Sequence, residues 1–141
     1  KRNIVLAGAI PPLVELMFSE NVSVRIEAVA AVANLAVLSA NATDIVAGGG
    51  LEPVVDGARL AMSELLDVND VYEVDENMEE LAAQCGRALR NLSANPENRP
   101  LIRDLGGVLE LRRMLTYPND RIVSQARRAM KNMEPKKSSR K

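Results

Sequence analysis

Three asparagines stand at matching places near the ends of three apolar segments, at Asn34, Asn91 and Asn132. A side-chain amide carries donors and an acceptor, so a row of them can bond the main chain of a ligand without reading its side chains. Asparagine within a helix is unfavourable by roughly half a kcal/mol relative to alanine, so its recurrence needs a reason. The alternative reason is that asparagine tolerates the left-handed geometry of a helix terminus.

Residues one and two turns before these asparagines share their helix face. Four residues back the chain has Ala30, Arg87 and Arg128, and seven residues back it has Glu27, Gln84 and Gln125. With the nearby Arg90, Arg127 and Lys131, the arginines predict a positive surface that receives acidic or phosphorylated groups. The alternative is that they only keep an exposed helix soluble.

The residue types argue against catalysis. The chain has no histidine, which removes the usual proton shuttle and metal ligand. Cys85 falls on a predicted buried face, where a thiol is inert. The glycines at 48–50 lack the Lys-Ser/Thr of a phosphate-binding loop. We therefore expect no enzyme activity, no cofactor and no bound metal.

Composition favours an all-α protein. Hydrophobic residues make up 47% of the 141 residues, yet Phe18, Tyr72 and Tyr117 are the only aromatic ones. Ala, Leu, Val, Ile and Met then dominate, which suits closely packed helices in one domain. The lone cysteine fits a reducing compartment, and the chain shows no leader or membrane-spanning run, so we expect a cytoplasmic and possibly also nuclear protein.

Charge is distributed unevenly along the chain. Residues 1–86 contain four Lys or Arg against 14 Asp or Glu, whereas residues 87–141 contain 14 against five. The two parts should therefore attract different partners.

Two phrases recur and define a repeat. Glycine phrases begin at Gly8, Gly49 and Gly106, and the second of the two intervals between them is the longer. In the series Asn34, Asn91 and Asn132 the first interval is the longer. Both series fit a helical unit of about 41 residues, the length of an armadillo or HEAT repeat, with an insertion in the second copy. A helical repeat of this period predicts a solenoid.

Each unit reads as a short helix, a corner, a second helix, a polar break and a longer third helix. Gly8, Pro11 and Pro12 are expected to mark the first corner, since glycine permits positive φ and proline suits a first helical turn. The third helices repeat one apolar spacing, which predicts a buried face of Val24, Ala28, Ala31, Val32 and Leu35, then Leu81, Cys85, Ala88, Leu89 and Leu92, then Ile122, Ala126, Ala129, Met130 and Met133.

The phrase "GAIPPLVEL", the three-helix unit and the ending "A-x-x-A-L-x-N-L" resemble armadillo repeats, the module of β-catenin, importin α and many adaptors. The resemblance covers residues 3–133. It implies a right-handed α-α superhelix, and the regular glycine corner favours it over two-helix HEAT repeats.

The resemblance implies a peptide groove. In armadillo proteins the matching asparagine lies on the concave surface and bonds the main chain of an extended peptide. Asn34, Asn91 and Asn132 would then hold a peptide, with Arg87, Arg128, Glu27, Gln84, Gln125 and Ala30 setting specificity. Importin α has tryptophan four residues before the asparagine, and this chain has none. The groove is thus more like that of β-catenin.

The predicted organisation is repeat 1 at residues 3–40, repeat 2 at 41–95, repeat 3 at 96–133 and a disordered basic tail at 134–141. An acidic insertion near 62–77 interrupts repeat 2, and we expect it to extend a helix and then form a loop. It either occupies the basic groove, binds a basic partner or is a tolerated surface insertion. The tail is either solvated or a weak nuclear signal.

The leading function is a non-enzymatic protein-interaction module that binds an extended acidic peptide. The alternative is a structural segment of a longer armadillo adaptor that acts through its ends or convex face. Association with a second copy, or a continued array, would cover Ile4 and Leu6. A nuclear import adaptor is disfavoured, and so is nucleic-acid binding, because aromatic residues are few and the first half is acidic.

Overall fold

The computed structural model describes residues 4–67 and 74–135. These residues form α-helices and one short 3-10 turn, with no strand among them, which confirms the all-α prediction. The helices in chain order are α1 (Ile4–Met17), α2 (Val22–Leu35), α3 (Ser39–Ala47), α4 (Leu51–Leu65), α5 (Glu76–Leu92), α6 (Arg99–Asp104), α7 (Gly107–Leu115) and α8 (Asp120–Met133).

The third helices of the units are α2, α5 and α8, and α5 packs between the other two. Its predicted apolar face is fully buried, and the face of α8 is buried except at the half-buried Met130. In α2 only Ala28 and Val32 of the predicted face are buried, and its other three positions are half-buried. The burial follows from stacking, since the middle helix has a neighbour on each side.

Glycine pairs make the corners of the second and third units. Gly49 and Gly106 have φ values of 89° and 91°, in the left-handed region that favours glycine. The following glycines are needed for space, because a Cβ on Gly50 would lie 2.5 Å from Ile45 Cγ2. The helices α4 and α7 begin directly after these corners.

The corner predicted at Gly8 is wrong. Helix α1 runs without interruption from Ile4 to Met17 and includes both prolines, each of which removes one main-chain donor. The reason lies in Ala9, which stands where the later units have their second glycine. Ile4 precedes Ala9 by the same interval as Ile45 precedes Gly50, so a corner here would press the alanine Cβ against isoleucine. Ile4 is instead 84% exposed.

Side-chain caps fix where the third helices begin. Asn21, Asp75 and Asn119 each accept hydrogen bonds from main-chain N–H groups two or three residues further on, at 3.0 to 3.2 Å. Such caps satisfy donors that the first helical turn leaves unpaired.

A second asparagine pair holds the ends of two third helices. Asn41 Nδ2 donates to the Leu35 carbonyl at 3.0 Å, and at the matching place in the next unit Asn98 Nδ2 donates to the Leu92 carbonyl at 3.0 Å. The two amides thus occupy carbonyls that have no partner within their own helix. This repeated contact ties each third helix to the start of the next unit.

The insertion lengthens the helices on both sides of it. Helix α4 has 15 residues against nine in α7, and α5 begins at Glu76, three residues earlier than the matching start of α8. The predicted helix extension is therefore present. Residues 68–73, on which the predicted loop falls, lie outside the described residues, as does the tail from residue 136 onward.

Candidate functional site

The surface formed by α2, α5 and α8, called here the third-helix face, carries the predicted asparagines. Asn91 Nδ2 donates to the Ala33 carbonyl of α2 at 2.8 Å. In the same way Asn132 Nδ2 donates to the Arg90 carbonyl of α5 at 3.0 Å. Each amide thus reaches back to the preceding third helix. Asn91 keeps its oxygen and one N–H for other partners, whereas Asn132 Nδ2 also donates to Ser93 Oγ at 3.1 Å, so that Asn132 keeps only its oxygen.

The alternative role of these asparagines, as left-handed helix terminators, does not occur. Among the described residues only Gly49 and Gly106 have positive φ. Asn91 and Asn132 are half-buried inside the last turns of α5 and α8, and Asn34 is exposed on α2.

An open depression lies where α5 meets α8, a boundary that we call the second seam. It has a volume of about 290 Å³ and is lined by Arg90, Asn91, Ala94, Arg128, Lys131 and Asn132. Five of these six residues were predicted from the sequence. The lining contains three cations and two amides and no carboxylate, so the depression is suited to an anionic, hydrogen-bonding ligand.

The cations of this depression differ in how far they are already engaged. Arg90 Nη1 donates to Gln125 Oε1 at 3.0 Å, so its guanidinium is held but keeps free N–H groups. Arg128 and Lys131 are exposed, and neither side chain has a hydrogen bond or ion pair within the described part of the chain. Their charges are therefore available to a ligand.

The first seam, where α2 meets α5, is closed by Arg87. Its Nη1 donates to Asn34 Oδ1 at 2.7 Å, and its Nη2 donates to the Ala30 carbonyl at 3.2 Å. Gln84 Oε1 accepts from Nε at 3.1 Å and from Nη2 at 2.9 Å. All three partners are neutral oxygens. The charge of Arg87 also acts on the Glu80 carboxylate, whose pKa it helps to lower.

Two residues that the sequence reasoning did not select hold this arrangement. Arg121 of α8 forms two hydrogen bonds of 2.7 Å with the Glu80 carboxylate, which also accepts from Gln84 Nε2 at 2.8 Å. These two hydrogen-bonding partners lower the pKa of Glu80 from 4.5 to about 2. The sequence contains an indication of this ion pair, because Glu80 and Arg121 lie one repeat length apart and carry opposite charges.

Close approach of α5 and α8 also depends on one glycine. A Cβ on Gly86 would lie 3.1 Å from Gln125 Cβ, which is tighter than ordinary side-chain contact. Gly86 therefore sets the spacing across which Arg90 reaches Gln125 and Arg121 reaches Glu80.

Several cations elsewhere on the described chain are already engaged, whereas the exposed Arg112 and Arg127 have no hydrogen bond or ion pair in the described ranges. Arg25 donates to Asp56 at 2.9 Å between α2 and α4, and Arg113 donates to the buried Glu110 at 3.0 Å within α7. Arg103 donates to the Met133 carbonyl, which has no partner further along α8. The other predicted residues, Arg127 and Glu27, are exposed and outside the depression.

The structure also describes the Cys85 thiol, the grouping of metal-ligand side chains and the apolar character of the helices. Cys85 is buried, and the lack of hydration raises the pKa of its thiol to about 12, so it stays protonated. Across residues 4–67 and 74–135 no three acidic or cysteine side chains are grouped as metal ligands. In the same ranges, no helix has the length and apolar character that crossing a bilayer requires.

Comparisons with known proteins agree with this architecture. The Armadillo/beta-catenin-like repeat model matches residues 1–37. A designed armadillo repeat protein superimposes with a TM-score of 0.71 at 27% identity, covering 93% of this chain and 49% of the other. The crystal structure of an engineered protein superimposes with a TM-score of 0.70 at 31% identity, covering 92% of this chain and 28% of the other.

The chain thus spans less than half the length of each of these two solved proteins. Its sequence matches no curated protein at a significant level. The matches confirm the resemblance to armadillo repeats and the helical solenoid fold, which serves as a non-enzymatic scaffold for protein binding.

Proposed function

Since the chain has the armadillo-repeat fold, we propose that it binds an extended acidic peptide across the third-helix face, which is the concave groove of such a solenoid. The observation that carries this proposal is the depression at the second seam, where Arg128 and Lys131 have no partner beside Asn91 and Asn132. An acidic or phosphorylated segment supplies the charge that these cations lack.

The asparagines and the cations recognise different parts of the peptide. The amide oxygens of Asn91 and Asn132 accept from peptide N–H groups, and the remaining N–H of Asn91 donates to a peptide carbonyl. Arg90, Arg128 and Lys131 pair with carboxylates that extend from alternate peptide residues. Because an exposed ion pair contributes only about 0.2–1 kcal/mol, several pairs must act together for useful affinity.

The groove is short. Packed helices lie roughly 8–10 Å apart, so three third helices present a surface of about 20 Å. An extended chain covers about 3.3 Å per residue, so about six peptide residues cross the described face. The matching probe is a peptide of about that length.

The test is a titration of fluorescein-labelled hexaglutamate, with hexalysine of the same length as a control. We expect the wild type to bind hexaglutamate and not hexalysine, and Asn91→Ala with Asn132→Ala to weaken binding at least tenfold, about 1.4 kcal/mol. Unchanged binding by the double variant would contradict the proposal. Melting curves must accompany the titration, since each amide also bonds the preceding helix.

A second candidate function is assembly through the α1 end. Ile4 and Val5 are 84% and 82% exposed, which leaves apolar surface without a cover. A further copy or a continued repeat array would bury it. Sedimentation of the wild type and of Ile4→Ser with Val5→Ser tests this: a concentration-dependent dimer in the wild type alone supports assembly, and two monomers rule out self-association.

In the cell, such a module would act as an adaptor in the cytoplasm or nucleus. The free, buried Cys85 fits a reducing compartment. Imaging of the chain fused to a fluorescent protein checks the location.

A further inference from the structure

The two seams share an arginine, a glutamine and two asparagines at matching positions but differ in their bonds. Arg87 and Arg128 are separated by one repeat length, as are Gln84 and Gln125. At the first seam Arg87 crosses to α2 and donates to Asn34 Oδ1 at 2.7 Å. At the second seam Arg128 does not cross to α5, although Asn91 is present there as the counterpart of Asn34.

Two positions differ between the seams. One is residue 80, where Glu80 orients Gln84 and Arg121 is its counterpart at the second seam, and the other is the residue just before each asparagine on the earlier helix. At the first seam this residue is Ala33, which leaves Gln84 to accept from Arg87. At the second seam it is Arg90, whose guanidinium takes the oxygen of Gln125 at 3.0 Å. Arg128 thereby loses the glutamine that would hold it across the seam.

We infer that Arg87 is a specificity-determining residue, which occupies the Asn34 oxygen in the first seam and confines acceptance of a ligand's main-chain N–H groups to the second. The inference rests on the proposed function, which it deepens. The ligand is then an acidic peptide whose main-chain N–H groups donate to the oxygens of Asn91 and Asn132, while at Asn34 it meets the fixed positive charge of Arg87 and the amide N–H donors.

The hydrogen-bond inventory supports this division. The oxygen of Asn34 accepts a charge-assisted hydrogen bond, roughly twice as strong as a bond between neutral groups, so a peptide N–H does not displace the guanidinium. Arg87 uses four of its five N–H groups within the protein and keeps one, on Nη1, for a carboxylate. The first seam therefore offers charge but no free main-chain acceptor.

The position of Arg87 is fixed from the far side of the face. Arg121 of α8 holds Glu80, and Glu80 accepts from the Nε2 of Gln84, which turns the oxygen of Gln84 toward Arg87. A chain of hydrogen bonds thus runs from α8 through α5 to α2. Glu80 and Arg121 are positioning residues in this arrangement.

The experiment is the hexaglutamate titration on Asn34→Ala, Asn132→Ala, Arg87→Ala and the Arg87→Ala/Asn34→Ala double variant. In the wild-type background we expect Asn34→Ala to change affinity by less than about twofold and Asn132→Ala to weaken it about tenfold. With Arg87 removed, Asn34 becomes accessible, and its loss should weaken binding about threefold. If Asn34→Ala alone is as damaging as Asn132→Ala, the inference is wrong.

A ligand-free measurement separates this inference from the proposed function. Nuclear magnetic resonance of the arginine Nε–H groups should show Arg87 protected from solvent exchange and Arg128, its matched control, unprotected. If hexaglutamate fails to bind while Arg87 is protected, the proposed function fails and the closed first seam stands. If Arg87 exchanges as fast as Arg128, the closed seam is disproved.

Discussion

The first and second seams of the third-helix face share an arginine, a glutamine and two asparagines at matching positions and differ in what they leave for a ligand. The first is closed by a guanidinium bonded to three neutral oxygens, and the second is an open depression lined by three cations and two amides. Two positions differ between the seams. Ala33 of the first corresponds to Arg90 of the second, and Glu80, which orients Gln84, corresponds to Arg121. Equivalent residues in a repeat protein are therefore not equally available.

Charge reversal in the second seam should have the largest effect. Arg128→Glu with Lys131→Glu replaces two unpaired cations by anions beside the ligand, so we expect hexaglutamate affinity to fall at least about a hundredfold. Both residues are exposed, so the melting temperature should change little. The measurement is a fluorescence anisotropy titration.

The matched control is Arg112→Glu, a reversal at an exposed arginine of α7 that does not line the depression. It should change affinity by less than about threefold through long-range charge alone. An Arg112→Glu effect as large as that of Arg128→Glu would show that net charge, and not the depression, drives binding.

Arg90→Ala should make the second seam more like the first, although Gln125 keeps Arg121 in the place where Gln84 has Glu80. Gln125 loses its partner, so Arg128 is free to cross and donate to the Asn91 oxygen as Arg87 does to Asn34. We expect affinity for hexaglutamate to fall about tenfold and the Arg128 Nε–H to become protected from exchange. An unprotected Arg128 in this variant would remove Arg90 as the cause of the difference.

Ala33→Arg is the converse change and should have a smaller effect. An arginine at residue 33 competes for Gln84 and releases Arg87 from the first seam. Because Ala33 is fully buried, melting curves must accompany the titration. We expect hexaglutamate affinity to rise about threefold, because one more cation and the Asn34 oxygen become available. Unaltered affinity together with a still-protected Arg87 would refute the competition argument.

The smallest effect concerns pH. The folded chain lowers the pKa of Glu80 from 4.5 to about 2, so the folded carboxylate binds protons more weakly than the unfolded one. Its contribution to stability is therefore present above about pH 4.5 and is lost as the pH falls toward 2. Because the side chain is 38% exposed, solvent screening keeps the contribution small.

Thermal unfolding of the wild type and Glu80→Gln from pH 2 to 7 measures this contribution. The gap in melting temperature should be present at pH 7 and should narrow below pH 4.5. A gap that stays constant across this range would show that Arg121 does not stabilise the ionised form of Glu80.

Much of the fold could be predicted because its determinants are local. Two glycines at Gly49 and Gly50 dictate a corner, and the spacing from Leu81 to Leu92 dictates a buried helix face. The corner predicted at Gly8 does not form, because one glycine alone is not sufficient for this turn. A second glycine is needed wherever an isoleucine lies five residues earlier. Ile4 lies five residues before Ala9, and the Cβ of alanine does not fit such a corner.

The site could be predicted only in part, because side-chain competition is not local. The period placed Arg87 and Arg128 at equivalent positions but could not show that one is bonded and the other free. That outcome depends on Ala33 and Arg90, which lie on neighbouring helices. The pair at 41 and 98 also escaped notice, although these two asparagines are separated by the same interval as the first two asparagines of the third-helix face.

The most direct test of peptide binding at the second seam is a nuclear magnetic resonance titration of the labelled chain with hexaglutamate. We predict that the largest shifts fall on the side-chain signals of Asn91, Arg128 and Asn132, with smaller ones at Arg87 and none at the α4 and α7 surface. Shifts confined to α4 and α7, or spread evenly over all exposed cations, would contradict the account.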